Sequence, residues 1–326
     1  MMDVKKPNRL MGLIAVILVF AALVIYNGLR AERPDLIVLS TGSPGGVYYP
    51  LGGAISEVIS RNLSGVRSDS ESTSGSVENI RLVGNKESEL GMATENAAYK
   101  GWRGEYPFAR PYPVRALFNM YASPLHIVTV EGRGIETIED LAGRRISIDA
   151  PGSGTEEMAR TLLEELGLLD KLRTVNYSQQ EAAAALRDGN VDAVFWNFAY
   201  PASVVMEVSA THRIRFVSLD EKQVELIVGK YPYYTGGIIP AGTYDHQDRD
   251  ITAVSVNNIL MAQADLDEEL VYQLTRTIFE NLDRLIEVHD IARRINPENA
   301  ANTSIEIHPG AARYFRELAD RLEGKT

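Results

Sequence analysis

The residues most able to do chemistry lie in three segments rich in glycine and hydroxyl groups, each placed between an apolar run and an amphipathic stretch. They are residues 40–52, 70–79 and 149–156. Glycine lets a backbone approach a ligand closely, and a helix that begins at such a segment offers free N–H groups at the positive end of its dipole. These features favour the binding of a small anion. The first segment lacks the Gly-Lys-Ser/Thr ending of a phosphate loop, which argues against a nucleotide.

Each segment also has an interpretation that needs no ligand. Tyr48 and Tyr49 of the first segment could pack in a core, and the second segment, from its pattern alone, is best interpreted as a solvated loop. Ser153 and Glu156 fit the S-x-x-E capping box, which satisfies helix N–H groups internally. The glycines on both sides of Ser153 still favour a ligand there, because they expose the backbone.

A fourth segment, Phe195 to Pro201, follows a predicted buried strand. In open α/β sheets, ligands bind beyond the carboxyl ends of the strands. Several strand ends that carry glycine, hydroxyl or aromatic groups are therefore expected to meet at one cleft. The alternative for Trp196 is ordinary core packing.

Composition excludes several kinds of site. The chain has no cysteine, so disulfides, thiolate zinc sites and cysteine nucleophiles are ruled out. Its 5 histidines are scattered without metal-ligand spacing, and there is no G-x-S-x-G nucleophile elbow. We therefore predict no catalytic residue, no metal and no cofactor.

The charge balance argues against a nucleic-acid partner. Lys and Arg number 33 and Asp and Glu number 44, which gives a formal net charge of −11. So acidic a chain will not bind phosphate backbones, and an anionic ligand must be held by local donors.

The N-terminus predicts export. Lys5, Lys6 and Arg9 precede an apolar run from Leu10 to Tyr26, and residues 10–29 give about 20 residues, enough to cross a bilayer. Residues 1–33 are therefore a signal peptide or a membrane anchor. The poor cleavage site at residues 29–31, with Leu29 where a small residue is wanted, favours the anchor. In either case the rest of the chain is predicted to be periplasmic.

The remainder alternates short apolar runs with amphipathic stretches. This βαβα order predicts an α/β architecture with two domains and mainly parallel sheets. Helical spacing is clear around Leu51 to Ile59 and Met158 to Leu166, and the C-terminal third from Asp265 to Leu322 is predicted to be mostly helical. Strands are predicted at 36–39, 90–93, 117–121, 127–130, 146–148, 194–196, 214–217 and 253–256.

Taken together and in order, these segments resemble the TAXI-type solute-binding proteins of tripartite ATP-independent periplasmic (TRAP) transporters. The resemblance covers nearly all of residues 35–326. The matching strings are TGSPGGVYYPLGG at 41–53, STSGSVENIRL at 72–82, APGSGTE at 150–156, IPAGTY at 239–244, FENL at 279–282 and HPGA at 308–311.

The resemblance implies a type II periplasmic-binding-protein fold, preceded here by an N-terminal hydrophobic helix. Two α/β lobes would flank a hinged cleft, lobe one at 35–126 plus 239–326 and lobe two at 127–238. Relatives capture a small carboxylate or amino acid, such as glutamate or 2-oxoglutarate, and deliver it to TRAP permease subunits driven by an ion gradient. Ligand-binding residues are expected at Gly45, Gly46, Val47, Tyr48, Ser74, Gly75, Thr94, Ser153, Gly154, Thr155, Trp196 and Asn197.

Two departures from the family pattern bear on the ligand. Thr94-Glu95-Asn96 stands where relatives carry Gln-Ser-Asp, and bulky residues 196–200 replace a small Thr-Ala-Gly turn. If Glu95 reaches the cleft, it would favour a ligand with an amine. Two other functions stay open from sequence: an anchored ligand sensor that feeds a signalling partner, and, more remotely, an enzyme on the same fold.

Overall fold

The structure is a computed structural model that describes residues 34–44 and 46–324. The predicted hydrophobic helix, the membrane contact at 10–29 and the whole segment 1–33 lie outside the described residues, as does Gly45. Within the described ranges, no helix is long and apolar enough to cross a membrane.

The first α/β lobe begins with strands and helices in strict alternation. Its elements are β1 (Leu36–Ser40), α1 (Tyr48–Asn62), β2 (Arg67–Glu71), α2 (Ser76–Gly84), β3 (Leu90–Thr94) and α3 (Glu95–Arg103). β1 pairs in parallel with both β2 and β3. Parallel pairing requires a crossover between consecutive strands, and the apolar faces of α1 and α2 supply it by packing back on the sheet.

The chain then crosses into a second lobe through β4 (Val114–Val130) and returns through a second strand, β10. Between them lie β5 (Arg145–Ser147), α4 (Gly154–Glu165), β6 (Arg173–Val175), α5 (Gln179–Arg187), β7 (Ala193–Asn197), α6 (Ser203–Ser209), β8 (Ile214–Phe216), α7 (Glu221–Lys230) and β9 (Tyr234–Ile239). The return strand is β10 (Ile251–Gln263), followed by α8 (Glu268–Glu280), α9 (Leu282–Val288), α10 (Pro297–Ala300) and α11 (Pro309–Leu322).

The two crossing strands join the lobes. The strand order is β2-β1-β3-β10-β4-β7-β5-β6, with β8 beside β4 and β9 beside β10. β4 pairs with β10 as far as Pro124 and with β7 from Leu125 onward. The α/β fold with two lobes is thus confirmed. The prediction of mainly parallel sheets was wrong, because β4 and β10 are antiparallel to every strand that they pair with.

The sequence patterns predicted strands that are shorter than the crossing strands β4 and β10. The sequence predicts two strands, 117–121 and 127–130, where the structure has one, and it ends the other strand at Val256. Ser123 and Asn258 interrupt the apolar pattern, so each resembles a strand end. In the structure both lie inside a strand, because that is where the sheet passes from one lobe to the other.

The cores follow the lobes. In lobe one, Ile37, Leu51 and Ile55 pack with Leu274 and Tyr314, so the predicted C-terminal helices cover this lobe. In lobe two, the strand faces divide between clusters around Phe195 and around Trp196. The lobe limits 35–126 plus 239–326 and 127–238 stay predictions. The packing of Ile239, Tyr244 and Ile251 with Trp196 favours a second crossing inside β10 instead of at residue 239.

Candidate functional site

A cavity of about 280 Å³ lies between the lobes, at the ends of the strands. Ten of the predicted binding residues line it: Gly46, Val47, Tyr48, Ser74, Gly75, Thr94, Ser153, Gly154, Thr155 and Asn197. The structure therefore brings together segments that are up to 151 residues apart along the chain (Gly46 to Asn197). Their role in binding stays a prediction.

Trp196 does not line this cavity. It is fully buried in the core cluster that also contains Val194 and Val205, and its ring lies beside that of Phe198. Alternate residues of a strand face opposite sides of the sheet, so Trp196 points into the core behind β7. Asn197, the last residue of the strand, is the one that reaches the cavity.

Four helices begin at the cavity wall. Tyr48, Ser76, Gly154 and Gln179, the first residues of α1, α2, α4 and α5, all line it. Each N-terminus carries N–H groups without an intrahelical acceptor and the positive end of a helix dipole. Among the described lining residues there is no Lys, Arg or His. Donors to an anion among these lining residues are thus backbone N–H groups and neutral hydroxyl and amide side chains.

Capping bonds at the α4 N-terminus use some, but not all, of the N–H groups there. The Ser153 hydroxyl accepts the N–H of Glu156 at 3.0 Å, and the Glu156 carboxylate accepts the N–H of Gly152 at 2.8 Å. Half of the predicted capping box is therefore present: Ser153 caps the helix, but Glu156 accepts from Gly152 instead of from the Ser153 N–H that a full box requires. These bonds leave the N–H groups of Gly154 and Thr155 at the cavity without a capping acceptor.

Two glycines allow the lobes to approach each other here. Gly75 has φ +121°, a conformation that residues with a side chain rarely adopt. A Cβ on Gly154 would lie 2.2 Å from Thr94 Oγ1 and 2.7 Å from Ser76 Oγ, both across the cleft. The Val77 N–H also donates to the Gly152 carbonyl at 3.0 Å. The structure is accordingly that of a closed cleft.

The floor of the cavity is a hydrogen-bond chain that runs through both crossing strands. Tyr48 Oη donates to Asn258 Oδ1 at 2.6 Å, and Asn258 Nδ2 donates to Ser123 Oγ at 2.8 Å. Ser123 Oγ donates in turn to Asn197 Oδ1 at 2.8 Å. Burial raises the pKa of Tyr48, so its hydroxyl stays protonated and acts as a donor. The chain joins one lobe to the other through the two strands that connect them.

A second set of contacts closes the cleft beside the cavity. Glu157 of α4 is buried, and it pairs with Lys100 and Asn96 of α3. Asn96 Nδ2 also lies 3.3 Å from the Gly154 carbonyl. These bonds exist only when the lobes are together.

Glu95 does not reach the cleft, so the idea that it selects an amine was wrong. It is buried, and its carboxylate accepts the N–H of Ser304 at 2.6 Å and Nδ2 of Asn257 at 3.1 Å. Burial raises the pKa of this carboxyl. Its place at the start of α3 turns it away from the cavity and toward β10, where it anchors the C-terminal segment.

Asp149 is the one charged side chain among the described residues that line the cavity. It is 3% exposed and has φ +75°. Burial, and to a smaller extent the nearby carboxylate of Glu156, raises its pKa to about 6, while the N–H of Ala150 and the hydroxyls of Thr155 and Ser153 oppose that rise. Carboxyl groups whose pKa is strongly raised by burial are commonly found at functional sites.

Sequence reasoning missed several wall residues. Asp149 was part of a predicted segment, but no pattern marked it as different from a loop aspartate. Asn258 and Ser123 gave a usable signal, since each is a polar residue within an apolar run. Gln179 and Ser178 also line the cavity, and no sequence pattern marked them as candidate binding residues. Within the described ranges, no group of three or more His, Asp or Glu residues could hold a metal ion.

Comparison with known proteins bears on this arrangement. Over residues 39–318 the chain matches the NMT1-like family. The chain belongs to that family. Among solved structures it is similar to PhnD1 from Prochlorococcus marinus, determined with methylphosphonate, at 14% identity and a TM-score of 0.56, covering 89% of this chain and 99% of that one.

Two further solved structures are more distant. The periplasmic aliphatic sulphonate binding protein SsuA from Escherichia coli has 12% identity and a TM-score of 0.47, covering 90% of this chain and 93% of that one. An ancestral arginine-binding protein has 13% identity and a TM-score of 0.49, covering 79% of this chain and 98% of that one. The likeness to PhnD1 supports the two-lobed binding-protein fold, and at these identities it supports the fold alone.

Proposed function

We propose that this member of the NMT1-like family is a solute receptor that binds a small carboxylate between its lobes and catalyses no reaction. The observation that carries the proposal is the convergence of four helix N-termini on one interlobe cavity, with no basic side chain among its described lining residues. Backbone N–H groups and hydroxyls hold an anion well at helix N-termini. Because these groups come from both lobes, binding and closure are coupled.

The expected affinity follows from the number of donors. A hydrogen bond to a charged group contributes roughly 1.5–3 kcal/mol. Three or four such bonds, less the cost of ordering the ligand and closing the lobes, correspond to dissociation constants from about micromolar to nanomolar. Such affinities suit a receptor that captures a scarce solute.

The finer assignment rests on the resemblance to the TAXI type. The chain would be periplasmic, would take a ligand such as glutamate or 2-oxoglutarate, and would deliver it to TRAP permease subunits. The glycine-rich strings that carry this resemblance, 41–53 and 150–156, are also those that line the cavity. Anchoring by residues 10–29 stays part of the proposal.

The proposal is tested by a thermal-shift screen of the full chain against amino acids, 2-oxo acids, dicarboxylates and sugar acids. A ligand at 100 times its dissociation constant adds about 2.7 kcal/mol of stability, a shift of several degrees in Tm. We expect one class of carboxylic acids to give such a shift. If no acid does so, and mass spectrometry of the denatured protein finds no acid already bound, the proposal is wrong.

A further inference from the structure

The charge in the cavity wall is opposite in sign to what a purely anionic ligand requires. Asp149 lies on the loop between β5 and α4. Among the described residues, no Lys, Arg or His forms an ion pair or a hydrogen bond with its side chain. Asn176 Nδ2 donates to its main-chain carbonyl at 2.9 Å, which fixes the backbone beneath the side chain. The carboxylate is therefore held in place without a counter-ion.

The Asp149 carboxylate also retains acceptor capacity. Ala150 N–H donates to Oδ1 at 2.8 Å, and the hydroxyls of Thr155 and Ser153 favour the charged form. Two carboxylate oxygens offer about four acceptor sites. A donor on a ligand can therefore bind to the Asp149 carboxylate without displacing the bond from Ala150.

This acceptor lies next to the donors of α4. The hydroxyls that contact Asp149 belong to Ser153, the N-cap of the helix, and Thr155, its second residue. One edge of the cavity thus presents a carboxylate and, beside it, free helix N–H groups. In an α-amino acid, an ammonium and a carboxylate are joined to the same carbon, and their spacing matches adjacent partners of opposite sign.

We propose that Asp149 binds the ammonium group of the ligand, so that the cavity selects an α-amino acid over the 2-oxo acid of the same shape. The inference rests on the proposed receptor function and names the ligand class of that same cavity. A 2-oxo acid would bring its carboxylate close to Asp149 with nothing to compensate the repulsion, whereas an ammonium group turns the same aspartate into an attractive partner.

The test is a calorimetric titration of the full chain at pH 8 with matched ligand pairs. The pairs are L-glutamate with 2-oxoglutarate, L-leucine with 2-oxoisocaproate, L-valine with 2-oxoisovalerate and L-alanine with pyruvate. Each is measured on the wild type, on Asp149→Asn and on Glu156→Gln. Asparagine preserves the size of the side chain and tolerates positive φ. Glu156 supplies a matched control, since it is the neighbouring carboxylate, in the first turn of α4, and does not line this cavity.

We expect at least one amino acid to bind at least about tenfold more tightly than its 2-oxo partner, a ratio that falls to about threefold or less in Asp149→Asn and persists in Glu156→Gln. Equal binding within every pair that binds, or a ratio that survives in Asp149→Asn, would overturn the inference while leaving the receptor intact. Binding by no member of any pair would also overturn it, and the wider acid screen then decides separately whether a receptor remains.

A second measurement keeps the inference testable if Asp149→Asn does not fold. The pKa of Asp149 is raised to about 6, so most of its negative charge is lost by pH 5. In the wild type, the preference for the amino acid is expected to fall several-fold from pH 8 to pH 5. Glu156 is the ionisable neighbour that acts on Asp149, and the Glu156→Gln control separates its contribution. A preference that is the same at both pH values would contradict the inference.

Discussion

At the scale of single residues, the burial of Asp149 changes the free energy of unfolding. Asp149 has a folded-state pKa of about 6 against an ordinary value of 3.8. The folded protein therefore holds this proton more tightly than the unfolded chain does. Stability is greatest below about pH 4, falls as the pH rises through 6, and stays low above it. The full difference of about 2 pKa units corresponds to about 3 kcal/mol.

Asp149→Asn removes this cost, so in the absence of ligand the variant should be more stable than the wild type at pH 8. Between pH 5 and pH 8 its advantage is expected to grow by about 1 kcal/mol, or roughly 2 °C in Tm. Paired thermal melts at the two pH values measure this. A variant less stable than the wild type at pH 8 would mean that the carboxylate is a structural acceptor for its loop.

Single residues also differ in how far the sequence could predict their place in the structure. Glycine and hydroxyl residues could be assigned to the site because strand–loop–helix context gives them a physical role. Glu95 and Trp196 could not be placed correctly, because the direction of one side chain at a strand end depends on the neighbouring strands. Asp149 carried no pattern at all: its special character comes from burial, which the chain alone does not show.

At the scale of elements, the crossing strands and the helix starts do most to shape the site. Asn258 on β10 binds Tyr48, Ser123 and the Tyr121 carbonyl. Its neighbour Asn257 faces the other way and donates to Glu95 at 3.1 Å. Period-2 alternation along one strand thus provides a pair of asparagines with different partners.

Asn258→Ala should lower ligand affinity about tenfold or more, because Tyr48 and Ser123 lose the partner that positions them. It should also cost about 1–3 kcal/mol of stability, since buried polar groups are left unpaired. Asn257→Ala is the matched control, with a stability loss but unchanged affinity. Equal losses of affinity in both variants would indicate a general effect on the strand. Calorimetry and denaturant unfolding give the two quantities.

The start of α4 gives a sharper prediction. In Gly154→Ala, the added Cβ would meet Thr94 and Ser76 of the opposite lobe, so the cleft could not close fully. We expect affinity to fall at least tenfold while the Tm without ligand changes little, because an opened cleft relieves the contact. Gly229→Ala in α7 is the control, since nothing lies within 4 Å of its Cβ. Unchanged affinity in Gly154→Ala would show that closure is not required.

Many of the helices and strands were predictable from the sequence. Apolar periodicity located α1, α4 and α8, and continuous apolar runs located β1, β3 and β7. The sequence failed at β4 and β10, since a strand that passes between two lobes carries polar residues at its middle. Those polar residues form the floor of the cavity, so the error in the strand limits and the missed cavity residues have one physical cause.

At the scale of the whole molecule, the lobes are joined by two strands and held together by contacts that only a closed cleft can make. Glu157 with Lys100 and Asn96 lies beside the cavity, and the Arg294 guanidinium lies over the Tyr200 ring at 4.8 Å, in a contact between the lobes. The proposed receptor would open by bending at β4 and β10 and would close when a ligand completes the wall. The Lys100–Glu157 pair is largely buried when closed and gains water when open, so on its own it does not fix the closed state.

Small-angle X-ray scattering of the full chain, with and without the acid that the screen selects, tests most directly whether the lobes close on a ligand. We expect a smaller radius of gyration with ligand in the wild type, the same compaction in Gly229→Ala, and little or none in Gly154→Ala. Scattering profiles of the wild type that are identical with and without a ligand shown to be bound would contradict this expectation, because the ligand would then bind without any closure of the lobes.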